Sequence, residues 1–314
     1  MEFSAKVAAT RDICLAALEN PPLSTVVAML RASGYERVDL LRSVSSTQDR
    51  KAKLLSILAR MGMDPETGLD PLAGIQRTLL LQTALANLDR LQAIPLHPSV
   101  SAMIYDEFQF FARPSSRELR LFQPDSYTFE ALAKIALLER FPAGQFHWEV
   151  SGLPRSWLLK VPASVLPRLM SFIAQAKGFA PFVFPHLATR RKNPLVLPEK
   201  ECDRSWYRIA RSVELQSNVK GLVASSWLHS TDTFKISPHL SFMNKPFLES
   251  GGIVTTMGKA DEMAGYLRGS ATRRKLYESG EFKPTLGLIL WSREQMIRWA
   301  RSHPELDGDP GYSA

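Results

Sequence analysis

The spacing of apolar residues changes character near residue 140. Before it, apolar side chains recur at three- and four-residue intervals, the period of amphipathic helices. Ile13, Leu15, Ala16 and Leu18 begin one stripe that stops at Asn20-Pro21-Pro22. Val26, Val27, Met29 and Leu30 form a second, with Gly34 as its expected cap. Leu54, Leu55, Ile57, Leu58 and Met61 predict a third helix, and Ile75 to Leu91 a fourth that ends before Pro95. Further helices are expected from Val100 to Phe111 and from Tyr127 to Arg140. The segments share no fixed period, which argues against a solenoid.

After Gly144 the pattern shortens. Phe146 to Val150 alternates large and polar residues, and Trp157 to Val161 is expected to return as a second strand. A helix starting at Ser164 presents Leu166, Leu169, Met170 and Ile173. Next come the run Phe182-Val183-Phe184, a loop from Leu187 to Pro198, and a helix from Glu199 to Gln216. Val219 to Leu228 predicts a strand, Ser237-Pro238 a helix start, Ile253 to Thr256 a strand, and Ser270 to Ser279 a helix. Leu286 to Trp291 is the last expected strand and leads into the helix Arg293 to Ser302. This alternation predicts an α/β fold, a mainly parallel or mixed sheet with helical layers, preceded by an all-helical part. The expected division is 1–140 helical, 141–306 basic α/β, and 307–314 a loose tail.

Composition adds capacity and direction. Hydrophobic residues make up 45% of 314, enough for a real core. Residues 1–140 hold 16 Lys+Arg and 16 Asp+Glu, whereas 141–314 hold 23 and 15, so the net charge of +8 lies wholly in the second part. That imbalance predicts an anionic ligand, most simply an anionic small molecule. Cys14 and Cys202 are isolated, which fits a reducing compartment. The opening residues lack a secretory signal and no run approaches about 18 apolar residues. The expected location is cytoplasmic, without a membrane partner.

Three groups of residues suggest chemistry. On a helix at about 100° per residue, Arg204, Arg208 and Arg211 share the side opposite Trp206, Ile209, Ala210 and Val213; guanidiniums so arranged suit phosphates or carboxylates. Ser270 as a helix cap, followed by Arg273 and Arg274 and preceded by Arg268 and Gly269, suggests a phosphate at a helix N-terminus. The stretch Val219 to His239 runs out of an apolar strand into Ser225, Ser226, Trp227, His229, Ser230, Thr231 and Asp232. His229 is the expected proton carrier, with Asp232 orienting it or a substrate, and His186, at the end of another strand, opening onto the same edge. Asp106, Glu107 and His97 read instead as a solvated face and a turn, and Tyr105, Phe108, Phe110 and Phe111 as packing.

Absent motifs narrow the chemistry. There is no GxSxG, HExxH, GxxxxGK[ST] or strand-following GxGxxG, and no motif names a cofactor. The expectation is a metal-independent transferase that takes a CoA thioester, nucleotide or nucleotide sugar. The alternative is a nucleic-acid-binding or protein-interaction module, suggested by Trp206, Tyr207, Trp227, Tyr266, Tyr277, Trp291 and Trp299 among the cations.

Overall fold

A computed structural model describes residues 2–32, 41–42, 50–60, 71–116, 118–123, 128–188, 197–259 and 270–308. The chain divides into two compact units, Met1–Pro142 and Ala143–Ala314.

The first unit is helical: α1 (Glu2–Glu19), α2 (Leu23–Ala32), α3 (Arg50–Arg60), α4 (Pro71–Gln92), α5 (Pro98–Ala112) and α6 (Thr128–Ala136), ending in the short strand β1 (Arg140–Pro142). Its centre is α4, which packs against each of the other five of these described helices. Ile75, Leu79, Leu80, Leu81 and Leu88 are buried on it, and so are Gln76, Thr78 and Thr83, the burial of a helix surrounded on all sides. Arg77 of α4 donates from Nε to the carbonyl of Phe111 at 2.6 Å and from Nη2 to Ala112, supplying donors to the orphan carbonyls at the end of α5. Tyr105, Phe108, Phe110 and Phe111 are core residues. The solvated face expected around Asp106 holds for that residue alone, which pairs with Lys6 at 3.0 Å. Glu107 and His97 are buried. The last helix stops at Ala136, short of the expected Arg140; Leu138 has a positive φ of 57° and the chain leaves as β1. Gly34 and Met61 lie outside the described residues.

The second unit holds a mixed sheet. Its strands β2 (Phe146–Ser151), β3 (Phe182–Leu187), β4 (Gly221–Ser226), β5 (Ile253–Lys259) and β6 (Thr285–Ser292) are neighbours in the order β2-β3-β4-β6-β5. Of the two sheet types expected, the mixed one is found, and the mainly parallel one is not: only β3 and β4 run parallel, while β2–β3, β4–β6 and β5–β6 are antiparallel. β6 inserts between β4 and β5, so the one parallel relation between those two strands is replaced by two antiparallel ladders. The central strands β4 and β6 are covered on both sides, hence their near-continuous apolar runs.

Alternation along the strands separates two faces. On the first, Phe182, Phe184, Val223, Ile253, Leu288 and Leu290 pack with Leu153, Leu169, Phe172 and Ile173, under α7 (Trp157–Lys160) and α8 (Leu166–Gln175). On the second, Phe146 stacks on Trp206 at 4.2 Å, and Phe247 meets both Trp206 and Trp291 edge-on. This layer consists of α9 (Glu199–Leu215), α11 (Lys245–Glu249) and α13 (Arg293–Arg301), with α10 (Thr231–Ile236) and the 3-10 turns Trp227–His229 and Pro238–Asn244 beside it. Trp157 to Val161 is therefore a helix and not a returning strand. The turn Pro154–Trp157 bends the chain away at once, and the antiparallel partner of β2 is β3. Ser237-Pro238 opens a 3-10 turn instead of an α-helix, the α-helix before it being capped by Ser230. A last helix, α12 (Ala271–Glu278), precedes β6.

Candidate active site at the carboxyl edge of three strands

Pairing directions fix where the strands end. β4 is parallel to β3 and antiparallel to β6, and β6 is antiparallel to β5, so β3, β4 and β5 all finish at one edge. Such an edge is where open α/β sheets bind ligands. His186 and His229 both stand there, but on opposite faces.

His229 belongs to the second face. β6 carries Gly287 where the chain after β4 crosses it, and a Cβ at that position would lie 2.3 Å from the carbonyl carbon and oxygen of His229. The glycine lets the backbone of His229 and Ser230 lie directly on the strand. The imidazole is buried, edge-on to Phe247 at 5.7 Å. Its Nδ1 is 2.9 Å from Asn244 Oδ1, while Asn244 Nδ2 donates to the His229 carbonyl at 3.1 Å. Burial pushes its pKa down to about 4, against the smaller opposing effect of the Asn244 bond. At neutral pH this is a neutral, packed histidine. The expected partnership with Asp232 is corrected: Asn244 occupies that place. Asp232 accepts from Lys235 Nζ at 2.7 Å and from Thr285 Oγ1 at 2.9 Å, and those hydrogen bonds hold its carboxyl below the usual range. It lies in the first turn of α10, where Ser230 is the cap, a structural arrangement.

His186 belongs to the first face. Its cross-strand partner is His147, and Glu149 is opposite Phe184, so all four side chains project to one side. His186 Nε2 lies 3.2 Å from Glu149 Oε1, an ion-pair distance without hydrogen-bond alignment. The register Val183↔Leu222, continued along both six-residue strands, sets His186 beside Ser225. The Ser225 hydroxyl is buried and has no hydrogen-bond partner among the described residues. His186 itself is partly open, about a third of its side chain being exposed. The edge thus brings together an imidazole, a carboxylate and a free hydroxyl. Glu149 gave no signal in the sequence, because only the β2–β3 register makes it a neighbour of His186.

Most of the expected cationic site is otherwise employed. Arg208 is fully buried and donates from Nη1 to the Ala143 carbonyl at 3.0 Å; the nearby Gly144, at φ 115°, leaves no room for a Cβ beside this guanidinium. Arg204 pairs with Glu201 at 2.6 Å, and Arg211 pairs with Glu214. A single open face of three guanidiniums is therefore corrected to one interior arginine and two ion pairs. Ser270 does cap its helix, accepting from Arg273 N at 3.2 Å. The Arg273 side chain is buried, its guanidinium 4.7 Å above the Trp227 ring, in a small cluster with Leu276, Tyr277 and Phe282 nearby. Arg274 remains exposed. Arg268 and Gly269 lie outside the described residues, as does most of the loop from Leu187 to Pro198.

In the first unit a groove of about 690 Å³ is lined by Leu15, Leu18, Val27 and Leu85, with Arg11 and Asp89 paired at its margin. Glu19, Ser24, Arg31 and Gln82 also line it, but no imidazole or thiol does, so the candidate site is placed by chemistry and not by concavity. Among the described residues no three or more His, Cys, Asp or Glu side chains are grouped to hold a metal, and no single helix is long and apolar enough to cross a membrane. No family model matches the chain, and comparisons with curated proteins and with solved structures find no similar protein.

Proposed function

We propose that the second unit is a metal-independent transferase that binds a phosphate-bearing cosubstrate, a CoA thioester, nucleotide or nucleotide sugar, at the carboxyl edge of β3, β4 and β5. The observation that carries this reading is the His186–Glu149 pair beside the Ser225 hydroxyl on one sheet face. His186 takes the proton of an acceptor hydroxyl or amine as it attacks the activated group, then returns it to the leaving group. Glu149 orients the ring and offsets its positive charge while the proton is held. Ser225 hydrogen-bonds the bound substrate. Apo geometry at such a site is commonly loose and tightens on binding, consistent with the unaligned His186–Glu149 contact. Net positive charge in this half favours an anionic donor.

Five of the seven aromatic residues named for the nucleic-acid alternative are engaged in the fold; Tyr277 is half-buried and Tyr266 lies outside the described residues. Trp206, Tyr207, Trp291 and Trp299 are buried, and Arg273 covers Trp227, so these rings are not a free stacking platform. The test is a thermal-shift screen of the full chain with CoA esters, nucleotides and nucleotide sugars. One class is expected to raise the melting temperature. Mass spectrometry with that ligand and a panel of acceptors then reads turnover, which His186→Gln lowers by about 100-fold or more while the ligand shift persists. If no phosphorylated compound shifts melting, or if His186→Gln leaves turnover intact, the reading fails.

A further inference from the structure

We infer that the outer surface of α7 and α8 docks on bilayers that carry anionic lipid. Exposed cations stand on and beside these helices: Lys160 on α7, Arg168 on α8, Arg155 just before α7 and Lys177 just after α8. Residues 150–198 hold seven cations and no Asp or Glu, so this stretch alone accounts for +7 of the net +8. Four of the seven, Arg155, Lys160, Arg168 and Lys177, are described, and all four are exposed. Among the described residues none of them pairs with a carboxylate; Arg155 lies over the Phe179 ring at 5.6 Å, and Lys177 gives only its carbonyl, to Lys220. The layer on the other face is built differently. There Arg204, Arg211 and Arg301 are matched by Glu201 or Glu214 and Lys245 by Glu199, which leaves Lys200 and Arg298 without a carboxylate among the described residues.

Two exposed apolar side chains neighbour the unmatched cations in sequence. Leu158 turns inward against the core, but the next residue, Leu159, is 91% exposed, and Met170 on α8 is 46% exposed. A leucine displayed so fully gains by entering an acyl region and gains nothing from a phosphate backbone, so the combination favours a lipid surface over nucleic acid. A peripheral contact of this kind needs no spanning helix, and each cation near an anionic leaflet adds attraction within a Debye length. The sequence alone, read for spanning segments, gave no reason to expect it.

The test is co-sedimentation of the full chain with vesicles of phosphatidylcholine alone and with roughly one-third phosphatidylserine. Sedimentation with the anionic vesicles only is expected, falling as salt rises. Leu159→Ser should weaken it by about tenfold without changing the melting temperature, since that side chain packs on nothing. Combined Arg155→Glu, Lys160→Glu and Arg168→Glu, at about fivefold or more per cation, should abolish it. Absence of sedimentation with anionic vesicles at low salt overturns the inference. So does binding that Leu159→Ser leaves unchanged and duplex DNA displaces, which marks a nucleic-acid surface instead.

Discussion

His186 and His229 leave the same sheet edge one strand apart, and the faces they occupy give them opposite characters. On the second face everything around the imidazole is satisfied or packed: Asn244 bonds its ring and its carbonyl, Phe247 meets it edge-on, and Gly287 lies under its backbone. On the first face, His186 is partly open, its carboxylate neighbour is unaligned, and the adjacent Ser225 hydroxyl has no described partner. A shared edge is thus a weak guide to a shared site. The parity of each residue along its strand decides which ligand it can meet.

The comparison breaks most sharply at Gly287. Gly287→Ala puts a methyl 2.3 Å from the His229 carbonyl, and the obstacle is backbone, which cannot rotate away. The crossing must lift from β6, carrying the Asn244 contacts with it. A loss of about 3 kcal/mol or more is expected, read as a fall in the urea midpoint. A change below about 0.5 kcal/mol would mean that the crossing has slack and that His229 is not held as described.

A smaller effect separates the histidines by pH. With its pKa near 4 in the fold and 6.5 as its ordinary value, His229 stays neutral in the fold while the unfolded chain takes up a proton. Stability is therefore complete above about pH 6.5 and declines as pH falls toward 4, by up to about 1.4 kcal/mol per pH unit. Asp203 acts the other way. Burial first, then Glu199, raises its carboxyl to about 6, so folding holds its proton in the same window and that contribution is lost as pH rises through about 6. His229→Gln should flatten the acid decline of the melting temperature, and Asp203→Asn should steepen it. Parallel curves for wild type and His229→Gln would show that the ring is hydrated.

The sequence was most legible where period alone decides. The helices of the first unit appear on their predicted stripes, although the first begins at Glu2, well before Ile13, and the last stops at Ala136; β2 to β6 and the Ser270 cap also appear where expected, because apolar spacing and capping are local. Three readings depended on pairing, which is not local. Trp157 to Val161 has strand-like composition, but the turn that begins at Pro154 bends it off the sheet and β2 pairs with β3 instead. Arg208 falls on the polar side of a helical projection, yet its guanidinium turns inward to the Ala143 carbonyl. Glu149 gained meaning only through its register with β3. The mixed sheet belongs to the same class: nothing in the spacing of β5 and β6 says that β6 inserts next to β4.

The smallest stability effect expected is at His186, and its smallness is the point. His186→Ala removes a partly exposed ring whose ion pair has no hydrogen-bond alignment, so the loss should stay below about 1 kcal/mol. His229→Ala strips Asn244 of a partner inside the core and opens a void against Phe247, for about 2–3 kcal/mol. Chemical denaturation at pH 7 compares the two directly, above the window in which His229 titrates. If His186→Ala costs as much as His229→Ala, both imidazoles are packing elements and the first face holds no site. If it costs little, the ring is kept at that edge for something other than the fold, because a partly exposed imidazole with an unaligned carboxylate neighbour adds almost nothing to a sheet that Phe182, Val223 and Leu288 already hold together.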